Sequence, residues 1–203
     1  TTFFQAPGRM NVFDEHPFRV ILDYAHNAAA MKTMCQTISR LDVNGQRIAT
    51  LAAPGDRRDE DIEAIATEAA GHFDHYVLKA DDHRRGRGFD EVPQMLKRVL
   101  IARGVDEANI EIIPDEQAAI DHSLTIARDG DLVIVFGDEV HRSWKQIIHF
   151  EVSGEQRQAA ESKPTKVSSI VTDPAAFELD EADEIIRDER GVRLASRETE
   201  DAD

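Results

Sequence analysis

Short apolar runs alternate along the chain with longer segments in which apolar residues repeat at three- or four-residue spacing. Runs rich in β-branched residues predict buried β-strands, and the longer spacing predicts amphipathic helices. The predicted strands cover residues 19–22, 47–51, 75–78, 110–113 and 132–136. The predicted helices cover residues 28–41, 61–73, 92–103, 116–128 and 140–150.

This alternation of strands and helices indicates the architecture. Strands joined by helices make right-handed crossovers, which set parallel strands side by side and cover both faces of the sheet. The predicted fold class is therefore α/β, doubly wound, with a mostly parallel, Rossmann-like sheet. Residues 10–13 and 18–22 flank the turn-like sequence Asp14-Glu15-His16-Pro17, so an antiparallel hairpin is expected to open the domain.

The alternating pattern ends after Phe150. Residues 151–203 are dominated by charge and offer few large apolar side chains to bury, which predicts an acidic, disordered tail behind a domain of residues 1–150. An alternative for part of the tail is a short helix within residues 179–187 that docks on a partner. Four residues there share helical spacing: Leu179, Ala182, Ile185 and Ile186.

Charge and cysteine content indicate which ligands the protein does not bind and in which compartment it is found. The formal net charge of -16 argues against binding to nucleic acid or to an anionic membrane, although a halophilic or highly soluble protein shows the same acidity. Cys35 is the single cysteine, and no apolar run reaches the roughly 18 residues of a membrane span, so a reducing, cytoplasmic setting is predicted. The first residues, TTFFQAPGRM, lack an initiator Met and a signal-peptide pattern, and we expect a piece of a longer chain.

Candidate chemistry lies in the polar loops that follow the strands, where open parallel sheets bind their ligands. No phosphate loop, complete G-x-G-x-x-G, G-x-S-x-G elbow or Cys-x-x-Cys pair occurs, so free-standing ATP hydrolysis and serine hydrolase chemistry are poorly supported. No metal site is predicted, although His72, Asp74, His75 and His83 leave that alternative open. The polar loops include residues 23–27, 54–59, 81–88 and 137–139.

Two short motifs resemble those of the C-terminal domains of the Mur ligase family. They are Gly8-Arg9 ahead of the hairpin and the run Asp23-Tyr24-Ala25-His26-Asn27 after a strand. Ala28 stands where that family usually has Pro, which changes the helix start but removes no reacting group. The loops at residues 55–61 and 84–87 look like those of cyanophycin synthetases within the family. The resemblance covers about residues 7–150.

The resemblance implies part of an ATP-dependent amide ligase, in which ATP with Mg²⁺ is held mainly by domains outside this chain. This domain then closes over the ATP, with Arg9 at the phosphates, Asp23 at the ribose and Asn27 beside the nucleotide; Arg9 and His26 are the candidate catalytic residues. Helix capping is the alternative role for Asp23 and Asn27, and a local hydrogen bond is the alternative for His26. The isolated chain is expected to be inactive.

The loops at residues 54–59 and 81–88 carry the arginines and are called the two basic loops. The resemblance implies that they bind the amino-acid acceptor, which is arginine in a cyanophycin-like enzyme, and an acidic polymer. Asp56 or Asp59 would pair with the cationic acceptor. Arginines that are simply solvated are the alternative, and a non-catalytic binding or regulatory module is the rival to the ligase. The candidate arginines are Arg57, Arg58, Arg84, Arg85 and Arg87.

Overall fold

The computed structural model describes residues 8–82, 84–154 and 156, together with the backbone of Glu184–Asp188 and Gly191–Ala195. Six strands form one sheet in the order β1-β2-β6-β3-β4-β5, with β1 antiparallel to β2 and the other neighbours parallel. The strands are β1 (Asn11–Phe13), β2 (Arg19–Asp23), β3 (Arg47–Leu51), β4 (His75–Leu78), β5 (Ile110–Ile112) and β6 (Leu132–Phe136). The opening hairpin and the doubly wound α/β class are thereby confirmed.

Five helices follow the parallel strands where helical spacing predicts them. The largest difference is in α2, which begins at Asp59 and ends at Ala69. Its early start places Asp59, Glu60 and Asp61 in the first turn, where carboxylates stabilise the positive end of the helix dipole. The helices are α1 (Ala28–Ile38), α2 (Asp59–Ala69), α3 (Glu91–Ala102), α4 (Glu116–Ile126) and α5 (Val140–Ile148).

The helices divide between the two faces of the sheet and bury two apolar cores. Helices α1, α2 and α3 pack together on one face, where Met31, Cys35 and Ile38 of α1 are buried at helical spacing. Helices α4 and α5 pack on the other face, around Leu124 and Trp144. Because both faces are covered, the central strand β6 is buried along its whole length.

The order of the strands reverses at β6. The chain passes outward through β3, β4 and β5, and then returns to place β6 between β2 and β3. The loops after β2 and β3 lead to helices on one face, whereas the loop after β6 leads to α5 on the other. Loops that diverge in this way leave a crevice at the carboxyl ends of the strands, which is where open α/β sheets bind ligands.

The chain continues to contact the domain beyond α5. Gln156 is buried, and its amide nitrogen donates hydrogen bonds to the carbonyls of Leu124 and Ala127 at the end of α4. Further on, strands β7 (Glu184–Asp188) and β8 (Gly191–Ala195) pair antiparallel in a separate hairpin. A helix through Ile185 and Ile186 is therefore wrong, while Leu179, Ala182 and most of the predicted tail lie outside the described residues. None of the described helices is long and apolar enough to span a membrane.

Candidate functional site

A crevice opens at the carboxyl ends of β2, β6 and β3. Its walls combine polar residues such as His26 and Asp138 with small apolar residues. Among the predicted site residues, His26 lines the crevice directly. The lining residues are Tyr24, Ala25, His26, Ala52, Ala53, Pro54, Phe136, Gly137 and Asp138.

Arg9 sits on a tight turn beside this crevice. Gly8 adopts φ +72°, and a Cβ at Gly8 would lie 2.7 Å from a methyl carbon of Val140, so only glycine fits without displacement. The Gly8 N–H donates to Asn11 Oδ1 at 2.7 Å, and the Tyr24 N–H donates to the Gly8 carbonyl at 2.8 Å. The backbone of the turn is thus held at both ends, while Arg9 itself is exposed.

Asp23 holds the same turn from the end of β2. Its Oδ2 accepts the Met10 N–H at 2.9 Å, and Asp23 is 7% exposed. Burial raises the pKa of Asp23 against the opposing effects of the Met10 hydrogen bond and the positive charge of Arg9. Asp23 therefore does not cap the following helix; the contact that it makes fixes the position of the Arg9 turn.

Asn27 and His26 occupy the entry to α1. Asn27 is the N-cap, and its Oδ1 accepts the Ala30 N–H at 2.9 Å, as in the capping alternative. The Nδ1 of His26 lies 3.1 Å from the Tyr24 carbonyl oxygen, and the Tyr24 and His26 rings lie 5.0 Å apart. A hydrogen bond between Nδ1–H and this carbonyl would leave Nε2 as the acceptor nitrogen of His26.

The two basic loops meet, as their positions after the neighbouring strands β3 and β4 predict. A Cβ at Gly55 would lie 2.5 Å from the Arg84 carbonyl oxygen, so the two backbones are in close contact. Arg87 joins the loops through its guanidinium, which donates to the carbonyls of Gly55 and Arg57 and to Asp59 at 2.8–2.9 Å. Arg87 is thus engaged within the domain, with its side chain only 18% exposed.

The remaining charges of these loops are largely paired across the surface. Arg85 donates to Asp56, Arg58 donates to Asp61 at 3.0 Å, and the Arg84 guanidinium lies 5.4 Å from the centre of the Phe89 ring. Arg57 is exposed. Asp56 and Asp59, which were predicted to bind the acceptor, therefore pair with Arg85 and Arg87 of the other loop in this structure.

Comparison with known proteins assigns this arrangement to a family. Residues 8–138 match the family model described as "Mur ligase, glutamate ligase domain", a span that includes the Arg9 turn and both basic loops. The chain belongs to this family. The sequence resemblance is thereby confirmed.

Named relatives indicate which ligases carry such a domain. The cyanophycin synthetase of Geminocystis herdmanii is 36% identical over an alignment that covers 74% of this chain. The same alignment covers only 17% of that synthetase. The chain is 33% identical to the UDP-N-acetylmuramoyl-L-alanyl-D-glutamate–2,6-diaminopimelate ligase of Solibacter usitatus, covering 64% of this chain and 26% of the relative.

Solved structures agree with these relatives. A diaminopimelate ligase of the same name aligns with a TM-score of 0.54 and 26% identity, over 64% of this chain and 26% of that one. E. coli FolC in complex with ADP aligns with a TM-score of 0.50 and 25% identity, over 64% of this chain and 28% of that one.

One feature of this Mur ligase domain is absent from the sequence prediction: a buried ionic network beside the crevice. Lys79 follows β4 directly, and its side chain is fully buried between Glu116 at 2.8 Å and Asp138 at 3.0 Å. Glu116 also accepts the Asp138 N–H and the Ser143 hydroxyl, both at 2.9 Å, and Arg142 at 3.0 Å. The network fixes the start of α4 and the Asp138 wall of the crevice to the end of β4.

The pKa values in the network follow from burial and from these contacts. Burial alone would raise the pKa of Glu116, but Lys79 and the hydrogen bonds from Asp138 and Ser143 together lower it to about 2. Burial alone would lower the pKa of Lys79, but the charges of Asp138 and Glu116 outweigh it and raise that pKa. Lys79 and Glu116 therefore stay charged at neutral pH.

The sequence carries a faint signal for this network. Lys79 ends the run His75-Tyr76-Val77-Leu78-Lys79, where a buried strand meets the loops of the crevice. Lysine is rarely buried unless it is paired, so its position after a buried strand indicates a partner. The identity of that partner depends on which strand lies next to β4 and which helix crosses it.

The alternative metal site that joins His72, Asp74, His75 and His83 is not formed among the described residues. The Nδ1 of His72 lies near the Ser39 hydroxyl at 3.3 Å, and Asp74 accepts the Arg47 N–H at 2.8 Å. His75 turns instead towards Glu111 on β5. His83 lies outside the described residues.

Proposed function

We propose that this domain is the part of an ATP-dependent amide ligase that closes over ATP and helps to bind the amino-acid acceptor. The family and the ADP complex of FolC support nucleotide use. The observation that carries the proposal is an exposed arginine on a turn whose backbone is clamped beside the crevice. The chain spans a small part of its relatives, so the phosphate loop and the Mg²⁺ ligands are assigned to other domains of the same enzyme.

In the proposed reaction a substrate carboxylate attacks the γ-phosphorus of ATP, releasing ADP and forming an acyl phosphate. The acceptor amine then attacks the acyl carbon, loses a proton and expels phosphate, which leaves an amide. Water would hydrolyse the acyl phosphate, so closing this domain over the site protects the intermediate.

Arg9 is assigned to the phosphates. Guanidinium stays charged and meets phosphate oxygens with two parallel N–H donors. The hydrogen bonds from Gly8 to Asn11 and from Met10 to Asp23 hold the backbone on both sides of Arg9 before ATP arrives. A preorganised donor stabilises the charge that develops during phosphoryl transfer without a further cost of ordering the turn.

Asp23, Asn27 and His26 are assigned supporting roles beside Arg9. One oxygen of Asp23 positions the Arg9 turn, and we assign its carboxylate to the ribose. Asn27 keeps its capping bond to Ala30, and its exposed side chain lies at the helix start that faces the nucleotide. His26 lines the crevice and offers an imidazole to the nucleotide or the acceptor.

The purified chain is expected neither to hydrolyse ATP nor to form amides, since half of the nucleotide site is assigned to other domains. Nucleotide affinity should also be low, because closure cannot preorganise the site. Phosphate release and amide formation are the assays, with the full-length ligase as the positive control. Ligation by the chain alone at ordinary enzyme concentrations would contradict the proposal.

The acceptor is proposed to bind where the two basic loops meet, with arginine as the candidate acceptor and an acidic chain as the polymer substrate. The structure alters which residues are free for this work. Arg87 and Asp59 hold the loops together, so changing either disturbs the fold of the loops as well as any ligand. Arg84, Arg85 and Arg57 are exposed and lie where a polyanion can reach them, and Arg85 also pairs with Asp56 of the other loop.

Replacing both Arg84 and Arg85 by Gln in the full-length ligase should raise the KM for the acidic polymer about tenfold, the sum of two exposed ion pairs of roughly 0.7 kcal/mol each. The remaining KM should depend less on salt, because fewer charge contacts are left to be screened. The measurement is steady-state kinetics against polymer and against arginine at two ionic strengths.

The matched control replaces Arg98 and Arg103, both exposed, by Gln. Arg98 lies within α3 and Arg103 directly follows it, so both are away from the strand ends. Replacing them changes the net charge by the same amount as replacing Arg84 and Arg85. An equal rise in KM for both double variants would show a general charge effect and remove the assignment of the loops.

A further inference from the structure

Two histidines and a glutamate converge at the outer edge of the sheet, outside the crevice. His75 is the first residue of β4, Glu111 lies on the neighbouring β5, and His122 lies on α4. Since Lys79 follows the other end of β4, the cluster lies towards the opposite end of that strand from the ionic network. None of the three residues lines the crevice.

The three side chains point their ligand atoms at one another. The His75 Nε2 lies 2.9 Å from one carboxylate oxygen of Glu111, and the His122 Nε2 lies 3.1 Å from the other. One ligand atom from each residue fits within a separation of 4.8 Å. Ligand atoms bound tetrahedrally at about 2.0–2.1 Å from Zn²⁺ lie roughly 3.3 Å apart, so small side-chain rotations suffice.

His122 provides a second, independent observation. Its Nε2 is removed from solvent and makes no hydrogen bond of acceptable geometry, although it lies 3.1 Å from Glu111. A buried imidazole nitrogen without a directed hydrogen bond is costly to leave unmatched. A metal ion placed between His122, Glu111 and His75 would accept the lone pair of that nitrogen in its neutral form.

We propose that His75, Glu111 and His122 bind one divalent transition-metal ion, with Zn²⁺ the best suited. Two imidazoles and one carboxylate suit Zn²⁺, whereas Mg²⁺ and Ca²⁺ prefer sites made wholly of oxygen ligands. The Glu111 side chain is 43% exposed and that of His122 is 31% exposed, so solvent can deliver the ion and occupy a fourth position. The site is independent of the proposed ligase activity.

Metal binding would tie β4 to β5 and α4, which come later in the chain: Glu111 lies 36 residues after His75. The ion would link β4 and β5 to α4, whose first residue is Glu116 of the ionic network. Since the ligands converge only in the folded chain, binding would stabilise the native state in proportion to the logarithm of the free metal concentration. The melting temperature should therefore rise with added Zn²⁺.

The test titrates the metal-free chain with ZnCl₂ at pH 7.5 against a chromophoric chelator, and then repeats the titration with CoCl₂ to record the ligand-field spectrum. We expect one Zn²⁺ per chain at this site. Since loss of a partner outside the ligand sphere weakens metal binding about 10- to 100-fold, His75→Ala and His122→Ala should each weaken it at least about 100-fold. In both variants the Co²⁺ absorption that is typical of a low-coordinate site should disappear.

His141→Ala is the matched control, because His141 is exposed on α5 and outside the cluster. It should bind Zn²⁺ as the unaltered chain does. Glu111→Gln keeps the size of the side chain and tests the carboxylate if an alanine variant fails to fold. Equal binding by all the variants, or no binding above that of the buffer, would overturn the proposal and leave a polar cluster in which His75 is hydrogen-bonded to Glu111.

Discussion

Replacing Lys79 by Met should lower the free energy of unfolding by about 3–5 kcal/mol, the usual cost of removing one partner from a buried ion pair. Met fills a similar volume but leaves Glu116 and Asp138 with one positive charge fewer between them. The side chains of Lys79 and Glu116 are both 0% exposed, so water cannot replace the lost contact. Urea denaturation of the isolated chain measures the change.

Lys97→Met is the matched control for this variant. Lys97 pairs with Glu107 at 2.8 Å, the same distance as Lys79 and Glu116, but the Glu107 side chain is 68% exposed. An exposed pair contributes about 0–1 kcal/mol, so the control should change stability little. Similar losses in both variants would mean that the buried network does not hold α4 to the sheet.

Acid provides a second measure of the Lys79 variant. Glu116 has a pKa of about 2 in the folded chain against an ordinary value of 4.5, so its stabilisation is complete above pH 4.5 and is lost as the pH falls through about 2. Without Lys79 the pKa of Glu116 should rise. Acid unfolding of Lys79→Met should then begin at a higher pH than that of Lys97→Met, as circular dichroism at a series of pH values would record.

Replacing Arg9 by Ala in the full-length ligase should reduce kcat about 100- to 1,000-fold, the scale of losing one preorganised donor to a charged transition state. Stability should change by less than about 0.5 kcal/mol, as for most surface substitutions. The physical reason is that Arg9 is exposed, while the side chains of Asn11 and Asp23 hold the turn by accepting the N–H groups of Gly8 and Met10, which the substitution retains.

The control for Arg9→Ala is Arg98→Ala, which removes an exposed arginine from the outer surface of α3. Steady-state kinetics with saturating ATP, together with a melting curve for each variant, separates catalysis from folding. If both variants keep normal turnover and both fold, Arg9 does not act on the phosphates in this ligase, and the assignment of the turn fails.

The sequence by itself determined the order of strands and helices and indicated where the candidate site lies. Short runs rich in β-branched residues predicted every parallel strand. The inner strands are apolar at nearly consecutive positions because they are buried on both faces, whereas the edge strand β5 contains Glu111. The polar loops after those strands indicated the crevice, since the carboxyl ends of parallel strands share one edge. Gly8-Arg9 and the run from Asp23 to Asn27 are short sequence motifs. In the fold, Asp23 contacts the turn that carries Arg9, and Asn27 caps the following helix.

Only the tertiary structure decided which charged groups meet. Arg87 was predicted to bind a ligand, but it joins the two loops, because their backbones approach closely enough for its donors to reach Gly55 and Arg57. The sequence did not predict that Ile185 and Ile186 lie on a strand of the β7–β8 hairpin. A short group of apolar residues fits the helical period as well as the strand period, so its spacing does not distinguish a helix from a strand.

The pairing of Lys79 with Glu116 and Asp138 also depended on the fold. The three residues belong to segments far apart along the chain, and they meet because α4 starts beside the end of β4 and β6 returns to the centre of the sheet. His75, Glu111 and His122 converge through the same crossover, at the other end of β4. Hydrophobic spacing encodes which face of an element is buried, but the contacts between distant charged side chains are set by the order of the strands and by the path of the helix between them.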